Sequence, residues 1–164
     1  MRNQRGITLV ALVVTIVVLL ILAGTSIAML KGDNGIITNA QKSSYANIES
    51  EAMDKIKMAF NTIATEVRVK SATELNYDAT AKVAELADLA LVDLGGTKGT
   101  ITGTATSNTG TAGNYTVKAE AGKITITYSD NTVFKTSGKY NPVEYTITIT
   151  SDSASLSDYA RQVQ

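Results

Sequence analysis

The sequence predicts an α+β protein in which a long N-terminal α-helix packs on a small antiparallel β-sheet head. Three observations support this fold class. Residues 7–30 form an uncharged apolar run, and residues 37–70 repeat apolar side chains at helical spacing. The last third of the chain alternates apolar and polar residues, as half-buried strands do. The length of 164 residues allows one domain of ordinary size beside the helix.

Composition removes several classes of function. The chain has no His or Cys, so it lacks the commonest general base, a thiolate nucleophile and every zinc set made of those residues. Any chemistry would have to rest on carboxylates, Lys, Tyr or Ser alone, so an enzyme is disfavoured and we expect no metal site, no cofactor and no catalytic residue. The 15 basic and 15 acidic side chains cancel, and no basic face indicates a nucleic-acid partner.

The first element is the apolar run from Ile7 to Leu30, which predicts a transmembrane helix. It contains 24 residues without a charge, and 15 of them are Ile, Leu or Val. As a helix it would extend about 36 Å, which exceeds the roughly 30 Å hydrocarbon core of a bilayer. Arg2 and Arg5 precede it, so the positive-inside rule predicts that residues 1–6 are cytoplasmic and the rest of the chain is exported.

A cleaved secretory signal is the alternative to a retained helix. Such signals have an apolar region of about 7–15 residues followed by a small-residue cleavage site. This run is longer, and the segment from Ala23 to Ala28 matches a cleavage site poorly. We therefore expect the helix to be retained.

The junction Arg5-Gly6-Ile7-Thr8-Leu9 resembles the class III signal of type IV pilins and pseudopilins, in which a short basic leader ends in Gly before a long apolar helix. The resemblance covers residues 1–45 and is strongest to prepilin-like proteins of Gram-positive bacteria. It implies that residues 1–6 are a leader, that a prepilin peptidase cuts between Gly6 and Ile7, and that Ile7 becomes the N-methylated terminus. Glycine suits this role because it lets an extended backbone enter a protease cleft and unwinds the helix there.

Ala11 departs from the pilin pattern. By resemblance, this position usually holds a Glu that pairs with the N-terminal amine of a neighbouring subunit, so Ala11 fits either a minor subunit or a branch that assembles differently. Thr8, Ala11 and Thr15 lie at i, i+3 and i+7, which predicts a small-residue stripe for helix packing. The alternative is that the threonines bond to carbonyls of their own helix.

A glycine-rich break over residues 31–36 follows the apolar run, because Gly32-Asp33-Asn34-Gly35 favours a turn. It has too few acids for a calcium loop. Residues 37–70 then predict an amphipathic helix whose apolar face packs on the head. That face holds Ile37, Tyr45, Ile48, Ala52, Ile56, Ala59, Phe60, Ile63 and Val67; the charged face holds Lys42, Glu49, Asp54, Lys57, Glu66 and Lys70.

Residues 71–164 are predicted to form the extracytoplasmic head. A second helix over residues 79–94 should stop at Gly95-Gly96, and the Thr- and Gly-rich residues 97–116 predict mobile turns and edge strands. Alternating segments then predict an antiparallel β-meander with turns at residues 120–122, 129–131 and 137–142. A short C-terminal helix is predicted from the spacing of Leu156, Tyr159, Ala160 and Val163.

Four other patterns have simple interpretations. The acids Glu49, Glu51 and Asp54 fit a helix face of mixed charge, and residues 95–99 lack the spacing of a phosphate loop. The Asn114-Tyr115-Thr116 sequon permits glycosylation without predicting it. Residues 147–151 could accept a strand from another subunit, but pairing within the chain is the expected use.

These features predict a structural subunit and not an enzyme. The resemblance implies a pilin-like protein of the cytoplasmic membrane that the pilus assembly machinery packs with itself or related pilins into a surface filament, a secretion pseudopilus or a DNA-uptake filament. The alternative is a monomeric, membrane-anchored extracytoplasmic binding domain that does not polymerise. A carboxylate-dependent enzyme is disfavoured because no paired acids converge by spacing.

Overall fold

The computed structural model describes residues 4–32, 35–103, 108–130 and 143–157, with the backbone alone described for residues 4–8. The chain divides into two compact units, residues 1–47 and residues 48–164. A long N-terminal helical region precedes a five-stranded antiparallel sheet. The predicted α+β, pilin-like fold class is confirmed.

Two helices account for the N-terminal region. Helix α1 spans Gln4–Lys31 and helix α2 spans Ile36–Thr73. Between them, the Gly32 amide donates to the carbonyl of Ala28 (2.8 Å), and the Gly35 amide donates to the carbonyl of Gly32 (2.7 Å). The predicted break therefore coincides with a turn around these two glycines, while Asp33 and Asn34 lie outside the described residues.

The predicted second helix has two parts. Ala79–Lys82 form a 3₁₀ turn whose first amide groups are capped by Asp78, which accepts a 3.0 Å hydrogen bond from the Thr80 amide. Helix α3 follows over Val83–Asp93. Its end forms a Schellman motif, since the Gly95 amide bonds to the Val92 carbonyl and the Gly96 amide to the Leu91 carbonyl. Gly95 has φ +93°, a conformation that favours glycine.

The sheet is a meander in which consecutive strands are antiparallel neighbours. At the predicted turn of residues 120–122, Gly122 has φ +71°. In the central pair, Ile126 lies opposite Tyr145. The strands are β1 (Asn108–Ala112), β2 (Tyr115–Glu120), β3 (Lys123–Tyr128), β4 (Val143–Ile149) and β5 (Ala154–Leu156).

Two expectations about the sheet need correction or completion. Leu156 lies in β5 opposite Ile147 and not in a helical turn, because strand pairing supplies backbone partners that a short exposed helix would lack. The rest of the predicted C-terminal helix and the predicted turn at 137–142 fall outside the described residues. Ile147 and Thr148 of β4 pair with β3 on one side and with β5 on the other. Ile149 pairs with β5 and donates to the carbonyl of Gly122, so these residues offer no free edge for strand addition.

The core of the second unit lies between α2, α3 and one face of the sheet. The predicted apolar face of α2 is fully buried at Ile56, Ala59, Ile63 and Val67. The other large side chains at zero exposure come from α3 and the sheet: Val83, Leu91, Val117, Ile124, Ile126, Val143 and Ile147.

Glu49 corrects the predicted charged face of α2. Glu49 was predicted to be on that charged face, but it is only 6% exposed. Glu49 precedes Ala52 by three residues and Ile56 by seven, so helical spacing places it on the buried side. Ile37 is the opposite case: it was predicted to lie on the buried apolar face, but it is 45% exposed.

Candidate membrane and assembly helix

Helix α1 presents apolar side chains in every direction. Each large aliphatic side chain from Leu9 to Leu30 is at least 43% exposed, and Met29 reaches 76%. The sequence holds no charge between Arg5 and Lys31. A helix that is apolar all round is stable when lipid or other helices surround it. Within the described residues, one helical region is long and apolar enough to cross a membrane, and its apolar stretch is unburied.

Three hydroxyl groups of α1, those of Thr15, Thr25 and Ser26, are satisfied inside the helix. Thr15 donates to the carbonyl of Leu12 (2.8 Å), while Thr25 (3.0 Å) and Ser26 (2.7 Å) both donate to the carbonyl of Leu22. Such bonds let a polar side chain sit in a medium without water, because no hydroxyl has to find a partner there. These side chains therefore do not oppose insertion into lipid.

The predicted cleavage junction lies within α1. Gly6 and Ile7 both belong to the helix, which begins at Gln4. The expectation that Gly6 unwinds the helix is therefore not met in this conformation, since the i→i−4 bonds of a helix tolerate a glycine at a cost of only about 1 kcal/mol. A peptidase that binds an extended strand would have to open this first turn.

The three residues of the predicted packing stripe all lie in α1. Ala11 and Thr15 are exposed and one helical turn apart, whereas the side chain of Thr8 is outside the described part of the chain. The Thr15–Leu12 hydrogen bond is the internal bond that the alternative interpretation expected. It leaves the small side chain on the helix surface, so packing along this side stays a prediction.

The sequence interpretation missed an apolar pair beyond the break. Ile36 is 72% exposed and Ile37 is 45% exposed at the start of α2. Periodicity assigned Ile37 to the buried face, and Ile36 was assigned to the break over residues 31–36, whereas Ile36 is the first residue of α2. The signal that could have identified them is the run of residues 38–44, which separates the pair from the next large apolar residue, Tyr45.

Within the part of the chain that the structure describes, the acids of α2 and of the head do not form a candidate active site. Glu51 forms an exposed 3.0 Å ion pair with Lys55, which raises the pKa of Lys55. Among the described residues, no group of three or more acids is placed to hold a metal ion. A groove of about 620 Å³ lies along α2, and the residues described around it include one acid, Asp93. Paired carboxylates for acid–base chemistry are not brought together there.

Comparison with known families concerns the N-terminal part of the chain. Residues 1–27 match the family model of the prokaryotic N-terminal methylation motif. This motif is the class III signal of type IV pilins and pseudopilins. The chain carries the signal of a type IV pilin-like precursor.

The motif identifies α1 as part of a pilin-type signal, which its geometry alone does not show. It spans the predicted leader and the apolar helix as far as Ile27. It fits membrane anchoring, processing by a peptidase and pilin assembly in general, and it points to a structural protein. No curated protein and no solved structure matches the chain.

Proposed function

We propose that this pilin-like precursor is a filament subunit held in the cytoplasmic membrane by α1, with its N-terminus inside. Prepilin peptidase cuts it between Gly6 and Ile7, and Ile7 is then N-methylated. The assembly machinery packs α1 against the same helix of neighbouring subunits, either copies of this chain or related pilins. The observation that carries this proposal is the methylation motif on a helix whose aliphatic side chains are exposed all round.

The driving force of assembly follows from the surface of α1. In the membrane, lipid chains already cover its aliphatic side chains, so moving into a filament removes little apolar surface from water. Van der Waals packing between helices and the release of lipid are the terms that favour association. Removal of the leader takes away Arg2 and Arg5, which leaves 13 basic residues against 15 acids and a slightly acidic subunit.

Ala11 determines which contacts are available to the assembled helix. No acid lies between Ile7 and Leu30, so this chain offers no carboxylate in α1 for the amine of a neighbour. Close approach along Thr8, Ala11 and Thr15 is the contact that remains, because small side chains let helix backbones come together.

Mass spectrometry of the mature N-terminus tests the processing step. Co-expression with a prepilin peptidase should yield a chain that begins at N-methylated Ile7. Gly6→Val should block the cut, while the matched variant Gly24→Ala should be processed normally, since Gly24 lies 18 residues downstream in open surroundings. An intact Met1 terminus, or a cut near Ala28, would contradict the proposal and favour a monomeric anchored binding domain.

Electron microscopy of sheared surface material tests assembly. Immunogold labelling should find the head along filaments in cells that express the chain and its assembly machinery, and no label in cells that express Gly6→Val. If the trimmed chain remains monomeric in the membrane while no filament carries the label, the subunit does not polymerise.

A further inference from the structure

The start of α2 carries an exposed apolar pair in polar surroundings. Ile36 and Ile37 are 72% and 45% exposed. Residues 38–44 are Thr, Asn, Ala, Gln, Lys, Ser and Ser, so no broader apolar face continues from the pair. Two side chains fall far short of the roughly 800 Å² per partner that a stable protein interface buries. The pair alone is therefore too small to form a protein interface of its own.

The turn at Gly35 keeps this pair next to the end of the apolar run. Gly35 is buried, and a Cβ placed on it would lie 2.5 Å from the carbonyl oxygen of Leu30 and 2.9 Å from that of Gly32. The backbone of Gly35 thus lies directly against the last turn of α1. Five steps of extended chain from Lys31 to Ile36 could span about 17 Å. The turn instead brings Gly35 back against Leu30, so Ile36 starts close to the end of α1.

The length of α1 places that last turn at a bilayer surface. The 24 residues from Ile7 to Leu30 span about 36 Å as a helix, and the hydrocarbon core is about 30 Å thick. Leu30 therefore lies at the outer edge of the core, with Lys31 able to extend its ammonium group into the headgroups. Apolar side chains beside this point meet the boundary between headgroups and acyl chains, where amphipathic segments bury their apolar side.

We propose that Ile36 and Ile37 insert into the outer interface of the bilayer while the precursor is in the membrane. This inference rests on the proposed membrane anchoring by α1. The pair marks the outer limit of the span and holds the first turn of α2 against the lipid. It has to leave the lipid together with α1 when the subunit enters a filament.

Single tryptophans test the insertion, because the chain contains no Trp of its own. The full chain is reconstituted in phosphatidylcholine vesicles that carry a nitroxide quencher either near the headgroups or deep in the acyl chains. The test variants are Ile36→Trp and Ile37→Trp. Leu20→Trp reports the middle of the span, and Leu75→Trp reports a head residue that is 95% exposed. All four positions are exposed, so the core is unchanged.

The expected result separates the three regions. Ile36→Trp and Ile37→Trp should emit at shorter wavelength than Leu75→Trp and be quenched more by the shallow than by the deep nitroxide, with the order reversed for Leu20→Trp. Emission like that of Leu75→Trp, without quenching, would overturn the inference while a quenched Leu20→Trp upholds the anchoring. A blue shift without lipid quenching would instead assign the pair to protein contacts. Failure to quench Leu20→Trp would overturn the anchoring itself.

Discussion

The carboxylate of Asp88 in α3 accepts a 2.7 Å hydrogen bond from the backbone amide of Gly99 in the segment that leads to β1. Its other oxygen accepts a 3.0 Å bond from the amide of Ile101. Asp88 is only 8% exposed. Burial alone would raise the pKa of this carboxyl, but the amides of Gly99, Ile101 and Thr100 hold the pKa below its ordinary value. Asp88 thus anchors the segment that connects α3 to β1.

Replacing Asp88 should destabilise the head. Asp88→Ala leaves two backbone amides without their acceptor, and hydrogen bonds to a charged group contribute about 1.5–3 kcal/mol. We expect the free energy of unfolding to fall by about that amount, measured by denaturant titration of the full chain in detergent. Asp93→Ala, which removes an exposed acid from the same helix, is the control and should change stability by less than about 0.5 kcal/mol. Equal effects of the two variants would contradict the anchoring role.

The same carboxylate makes stability depend on acid pH. Because the pKa of Asp88 is lowered in the folded state, its stabilisation is complete above the unfolded pKa of about 3.9 and is lost as the pH falls through the folded pKa. The stability difference between the wild type and Asp88→Asn should therefore be constant from neutral pH to about pH 5 and shrink in more acidic solution. Unfolding titrations of both chains across this range measure it. A difference that stays constant down to pH 2 would show that Asp88 does not titrate as described.

Packing of α2 on the sheet can be tested at two positions of one helix. Ile56 is completely buried, whereas Met58 is 68% exposed. Ile56→Ala should lower the free energy of unfolding by about 2–5 kcal/mol, because it removes buried methyl groups and leaves a cavity. Met58→Ala is the control, with an expected change of less than about 0.5 kcal/mol. Similar losses at both positions would mean that α2 is not packed in this register.

Elements with long, regular patterns were predictable from the sequence. The apolar run could only be a helix of this length, and spacing at Ile56, Ile63 and Val67 located the buried face of α2. The meander followed from period-two alternation interrupted by turn residues such as Gly122. In these cases, local periodicity and burial agree over many residues, so one exception does not change the assignment.

Features that depend on contacts distant in sequence were not predictable. Asp88 is separated by 11 residues from Gly99, and its role depends on a loop in which Gly99 has φ +82°. Glu49 is a different case, because local helical spacing already placed it on the buried face and only its residue type led to its assignment to the charged one. Leu156 fits either a helical or a strand pattern, and its pairing with Ile147 decides between them.

The small-residue stripe of α1 leads to a prediction about filament yield. If neighbouring helices approach along Thr8, Ala11 and Thr15, the larger side chain of Ala11→Leu should hold them apart and reduce the yield of sheared filaments. Leucine keeps the helix apolar, so membrane insertion and cleavage at Gly6 should be unaffected. Filament yield is compared at equal levels of processed subunit, which separates assembly from processing.

Two further variants identify which property of the stripe matters. Val13→Phe adds four side-chain carbons, where Ala11→Leu adds three, on a side about 200° around the helix, and it should reduce the yield much less. Thr15→Val removes the hydroxyl that bonds to Leu12 but keeps the shape; since that bond is internal, the yield should not change. If Ala11→Leu assembles as well as the wild type, the prediction that neighbouring helices approach closely along the small-residue stripe is wrong. If Thr15→Val alone fails, the hydroxyl makes contacts between subunits instead of bonding within its own helix.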